Sequence, residues 1–268
     1  MRKLPLQLAR LTTEEVGSIV DKEETSVVLL PVGGVEPHGP HLPLGTDITI
    51  AMEICRKAAS ALRDRDVAVV IAPSLPYAVS ERAEGFPGAV CLSSDTMQRL
   101  VAELCRAYLR DGWHHVSVVN HHLDPAHVAA LHAGVLEVNE SGGGAEGSGA
   151  VPVSFPNVLS RRWSAELCEE FRSGASHAGR YESSILLASD PDAVRREIMN
   201  GLEAVTPVSS EDGAETGKSL REMGGVDGYL GDPAAASAAE GKDTLQRLQN
   251  MVVTEVLEAL GKDPAAAS

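Results

Sequence analysis

The sequence predicts an α/β fold built on a mainly parallel sheet, and three observations predict it. Short runs rich in β-branched residues, such as SVVLLPV at 26–32, are apolar throughout, as strands buried on both faces are. Segments with apolar residues at helical spacing alternate with these runs. The residues with chemical character gather just after the strands, where ligands bind in open parallel sheets.

Taken in order, Thr12 to Glu15 reads as a capping box that opens a short helix. The strand at 26–32 follows, then a helical pattern over 47–62. A second buried strand is expected over 66–74, and a loop follows it. Ser93 to Thr96 supply cap candidates for a helix over 93–112, which Gly112 ends. HHVSVVN at 114–120 is a third strand, and a helix over 124–138 has Pro125 suited to its first turn. Residues 140–150 are rich in Gly and Ser and read as a flexible loop. A fourth strand at 151–155 continues the alternation across that loop, so 1–268 reads as one domain. Helical patterns occupy 156–173 and 180–189, the span 201–237 reads as irregular, and a helix covers 238–261. Residues 262–268 read as a frayed tail.

Composition narrows the function. Aromatics make up only 3% of the 268 residues, so the core is expected to be aliphatic. The net charge of −15, without a basic cluster, argues against a nucleic-acid partner. No stretch reaches the ~18 consecutive apolar residues of a membrane span, and Pro5 and Gln7 break the apolar run expected of a signal peptide. The four cysteines, Cys55, Cys91, Cys105 and Cys168, form no C-x-x-C pair and read as buried thiols in a reducing compartment. The expectation is a cytoplasmic protein.

Three stretches carry metal-capable side chains. In GVEPHGPHLPLGTD, 34–47, Glu36 and His38 lie two apart, and Pro37 favours the extended backbone that points both the same way. Asp47 stands where a carboxylate would either cap the next helix or face a ligand. In VVNHHLDPAHV, His122 and Asp124 repeat the two-apart spacing, with Asp124 also a cap candidate. His127 and His132 read as core or surface. In SHAGRYESS, 176–184, His177 and Glu182 flank a small-residue turn. Carboxylates and imidazoles gathered from separate strand ends suit two divalent ions of the Zn²⁺, Mn²⁺ or Fe²⁺ kind, with one carboxylate bridging. Such a pair activates water and polarises a carbonyl, while a histidine such as His177 moves a proton to the leaving nitrogen.

These stretches resemble the creatininase (creatinine amidohydrolase) family. LPVGGVEPHGPHLPLGTD at 30–47 is similar to its opening loop, FPGAVCL at 86–92 to its second element, and NHHLDP at 120–125 to its NGHGGN or NGHYEN motif. HAGRYES at 177–183 is similar to HAGExET, and GDPAAAS at 231–237 to GDPxxAT. The resemblance implies a three-layer α/β/α sandwich, a homo-oligomer of hexameric type and two divalent ions per subunit. It implies Glu36, Asp47 and His122 on one ion and His38, Asp47 and Asp124 on the other, with Glu182 a further ligand or a supporting group and His177 the proton shuttle. The implied substrate is a small-molecule amide, whether cyclic amide, formamide or related compound. Two alternatives stay open: a peptidase that trims the mycofactocin precursor, and a non-catalytic metal-binding scaffold or sensor. The chain departs from the family pattern at His121, where a glycine is usual, and at Arg180, where a glutamate is usual. His121, Ser80, Arg180 and Tyr181 are the candidates for lining the substrate pocket.

Overall fold

Ser26–Val32 forms β1, on which the sheet is built. Its side chains alternate between two cores. Val27 and Leu29 face one, while Val28, Leu30 and Val32 face the other. The computed structural model describes residues 7–22, 25–141, 151–208 and 217–265. The Gly/Ser loop from 142 to 150 and the tail from 266 lie outside the described residues.

Helix α1 (Thr13–Lys22) opens with the expected capping box. Thr12 N donates to Glu15 Oε2 at 2.8 Å, and Glu15 N to Thr12 Oγ1 at 3.3 Å. After β1 come α2 (Thr46–Arg63), β2 (Ala68–Ile71), α3 (Ser94–Arg110), β3 (His115–Asn120) and α4 (Pro125–Glu140). Then follow β4 (Val153–Ser154), α5 (Arg161–Ser164), α6 (Glu169–Arg172), α7 (Arg180–Ser189), α8 (Arg196–Met199) and α9 (Ala238–Ala259). Helices α2, α7 and α9 cover the first core, while α1, α3 and α4 cover the second, which makes the α/β/α sandwich.

The four strands run parallel in the order β2-β1-β3-β4. From β1 the chain crosses to β2 on one side, and β3 then lies on the other. The strand order therefore reverses between β1 and β3, and such a switch point opens a crevice at the carboxyl edge of the sheet. The register pairs Val32 with Asn120, so the loops that begin at Gly33 and His121 leave the sheet side by side.

Several expected bounds shrink. β2 is four residues, not nine, and β4 is two, not five. The helical pattern at 156–173 is two separate turns, α5 and α6. Trp163, Leu167 and Phe171 still bury one face at helical spacing, so apolar periodicity does not register the break. Cys55 and Cys105 are buried thiols as expected, but Cys91 is exposed and Cys168 half-buried. Among the described residues, no helix is long and apolar enough to cross a membrane.

Candidate metal centre

Asp47 is the second residue of α2, and it does not cap that helix. Its Oδ2 instead accepts the Gly34 N–H at 3.2 Å and lies 3.0 Å from His122 Nδ1. Its Oδ1 lies 3.2 Å from His38 Nε2. The approach is close enough that a Cβ on Gly34 would stand 3.1 Å from both Asp47 Oδ2 and His122 Nδ1. A side chain there would have to push the cluster's own ligand atoms aside by a few tenths of an ångström.

Two groups of potential ligands share Asp47: Glu36 with His122, and His38 with Glu182. His122 Nδ1 is 3.0 Å from Glu36 Oε1, and His38 Nε2 is 3.6 Å from Glu182 Oε2. The imidazoles are oriented from behind. His122 Nε2 donates to the Val79 carbonyl at 2.8 Å, and His38 Nδ1 donates to the Glu36 carbonyl at 3.1 Å. A carbonyl only accepts, so each neutral ring turns its lone pair toward the carboxylates. Remote N–H groups held by backbone carbonyls are the usual support of metal-ligating histidines.

Charge explains the rest. Burial raises the cost of ionising Asp47, but His38, His121 and His122 outweigh it and hold its carboxyl well below the usual range. Burial likewise opposes the His38 imidazolium, yet Asp47, Glu182 and Glu36 push its pKa up to about 10. Glu36 and Asp47 raise His122 well above its ordinary value against the same burial. Buried carboxylates facing imidazole lone pairs need a cation between them, whether protons or metal ions. The donor set of oxygens and imidazole nitrogens fits divalent metal ions.

Of the other expected residues, His177 forms a third potential ligand group with Glu36 and His38, and Asp124 falls in none. His177 stands at the cavity wall, its side chain 18% exposed, with Nδ1 3.6 Å from Glu36 Oε1. Its Nε2 donates to the Pro37 carbonyl at 2.8 Å, which leaves Nδ1 as the basic atom of the neutral ring. The next residue, Ala178, takes a left-handed φ of 53°, and its N–H is held by Glu182 Oε2 at 2.6 Å. Asp124 lies outside both ligand groups. It caps α4 by accepting Ala126 N at 2.9 Å, and it takes Arg82 N at 3.0 Å. Both of its oxygens are thus committed to backbone, and Glu182 stands where Asp124 was expected.

A cavity of about 50 Å³ opens over the cluster, lined by Glu36, Asp47, His122, Asp124, His177 and Glu182 among others. It shares Arg82 and Asp124 with a larger cleft of about 820 Å³ that runs along Glu81, Glu84, Lys218 and Glu222. None of the four expected pocket residues lines the small cavity. Ser80 stands behind His122, with Oγ 3.3 Å from Nε2. His121 and Tyr181 are buried against each other, and Arg180 faces away to pair with Glu240 at 2.6 Å. The apolar wall comes instead from Leu123, Leu220, Met223 and Leu230. Three of these lie in the span that reads as irregular, where no local pattern marks them. His41 is structural: Nε2 lies 2.9 Å from Ser183 Oγ, and burial lowers its pKa to about 4.

A family model described as creatinine amidohydrolase matches residues 9–256. The mycofactocin precursor peptide peptidase of Mycolicibacterium smegmatis is 32% identical over 255 residues, which span 92% of this chain and 88% of that protein. The creatinine amidohydrolase of Pseudomonas putida is 25% identical over 185 residues, 63% of this chain and 66% of that one. A manganese creatininase structure superposes with a TM-score of 0.77 at 20% identity, covering 96% of this chain and 99% of the other.

Proposed function

Because the chain belongs to the creatininase family, hydrolases of amide or peptide C–N bonds, we propose that it is a dinuclear metal-dependent peptidase. Its reaction would be the type carried out by the mycobacterial precursor peptidases. The observation that carries the metal reading is Asp47, whose two oxygens face separate ligand groups. Glu36, Asp47 and His122 would hold one ion, and His38, Asp47 and Glu182 the other. Related structures include manganese and zinc–zinc creatininases, and the donor set here accepts either metal. Bound divalent ions would supply a Lewis acid for the scissile carbonyl and lower the pKa of water.

The chain's own groups do the rest. Glu36 and Asp47 are held ionised, so they stay acceptors at neutral pH. His177 Nδ1, beside Glu36 and open to the cavity, takes the proton of the attacking water and delivers it to the leaving nitrogen. Leu220, Met223 and Leu230 limit water around the reacting carbonyl.

The cleft of about 820 Å³ beside the cluster favours a peptide, which needs room on both sides of the scissile bond. The small cavity of about 50 Å³ over the ligands favours a second reading, hydrolysis of a small cyclic amide or formamide. The full chain loaded with Zn²⁺ or Mn²⁺ should be assayed against short peptides, lactams, creatinine and formamides. Peptide turnover that stops with EDTA and returns with metal supports the first reading. Turnover of small amides alone supports the second, and no turnover by protein carrying two ions counts against both.

A further inference from the structure

Position 121 departs most sharply from the family pattern within the cluster. A histidine stands where the resembling motif has glycine. Its side chain is 1% exposed, and Nδ1 has no hydrogen-bond partner among the described residues. An orphaned imidazole nitrogen this deeply buried is costly unless something fills the space in front of it. In front of it are carboxylates: Nδ1 is 3.6 Å from Glu182 Oε1 and 4.0 Å from Asp47 Oδ1. Those are too long for hydrogen bonds, and the same two carboxylates face His38 Nε2.

The far side of the ring meets a side-chain hydroxyl, where His38 and His122 meet backbone carbonyls. Nε2 lies 3.2 Å from the Tyr181 hydroxyl, and the two rings stack at 5.6 Å with a 14° interplanar angle. Tyr181 is adjacent to Glu182 on α7, so one helix turn positions both the carboxylate and the ring that steadies His121. In the tautomer that donates Nε2–H to this hydroxyl, the Nδ1 lone pair is free for a metal.

The geometry points to His121 as an additional protein ligand of the second ion, beside His38, Asp47 and Glu182. This rests on the dinuclear reading above. The two positions would then differ in kind. The first has one nitrogen donor and two carboxylates, and the second has two nitrogens and two carboxylates. A position richer in imidazole favours zinc or cobalt over manganese, so the protein should discriminate between ions at its second position.

The test uses metal-free full-length protein titrated with Co²⁺, Zn²⁺ and Mn²⁺ and read by metal content, visible absorption and paramagnetic NMR. Wild type should bind two ions. Each ligating imidazole of the Co²⁺ form gives one strongly shifted exchangeable N–H signal. His121→Gly should lose one such signal and weaken one ion by ~10²-fold, the upper end of the loss caused by removing a supporting partner. The other ion should be unaffected, and added imidazole should restore the spectrum. Tyr181→Phe should perturb that same signal, a readout that remains if His121→Gly fails to fold. Two ions bound with unchanged affinity and spectrum in both variants would overturn the assignment while leaving the dinuclear reading intact. Wild type binding no divalent ion would remove that reading itself, and the assignment with it.

Discussion

His122 Nδ1 lies 3.0 Å from Asp47 Oδ2, although 75 positions separate the two residues. The contact joins the loop after β3 to the first turn of α2 across the switch point of the sheet. Because Asp47 serves both ligand groups, Asp47→Ala should abolish binding of both ions. Elemental analysis after dialysis checks this: wild type should retain two ions per chain and the variant none. A variant that keeps one would mean that Asp47 does not bridge.

His177 touches the cavity but belongs at its wall. His177→Ala should keep both ions while turnover falls ~10²–10⁴-fold, the usual worth of general acid–base catalysis. Loss of metal along with activity would instead place His177 among the ligands.

Arg180 stands where the motif that the sequence resembles has glutamate, yet its guanidinium points to Glu240 on α9, with 46% of the side chain exposed. Exposed pairs of this kind contribute about 0–1 kcal/mol. Arg180→Ala should therefore leave kcat/KM unchanged and lower stability by no more than that amount, as read by chemical denaturation. A large fall in kcat/KM would mean that residue 180 reaches the substrate after all.

Gly241 of α9 packs directly on the α7 backbone, and an added Cβ would collide with the Ser184 carbonyl. Gly241→Ala should cost about 1–3 kcal/mol by overpacking. The same push acts on the helix that carries Glu182, so metal affinity should fall together with the denaturation midpoint. If stability drops while metal binding is untouched, α7 is more yielding than its packing suggests.

His115 is buried on β3, where Nδ1 donates to the Val151 carbonyl at 2.8 Å and Ser154 Oγ lies 2.9 Å from Nε2. Burial lowers its pKa to about 4, against 6.5 when exposed. A depressed histidine means that the unfolded chain binds the proton first. Its contribution is therefore fully present above pH ~6.5 and is lost as the pH falls toward ~4, on the order of 3 kcal/mol in all. Thermal melts between pH 7 and 4 should show this slope, and His115→Asn should reduce it, leaving the part that His41 contributes.

Much of this was legible from local pattern. Continuous apolar runs marked β1 and β3, and the two-apart spacing of Glu36 and His38 marked the loop of candidate ligands. The capping box at Thr12 and the cap at Asp124 were also readable, because each is settled by neighbours within a few residues. Break points inside 156–173 were not, since the buried face keeps its helical spacing across them.

The sequence by itself determined the fold class and the strand ends at which the candidate ligands gather. Only the tertiary structure decided which of them meet. It committed Asp124 to backbone, brought Glu182 to His38, turned Arg180 outward and drew the apolar wall from the irregular span around Leu220, Met223 and Leu230. Spacing along a chain determines which side chains share a face. Which faces converge depends on the packing of α7 against α2 and α9 and on the strand order, and no local pattern records either.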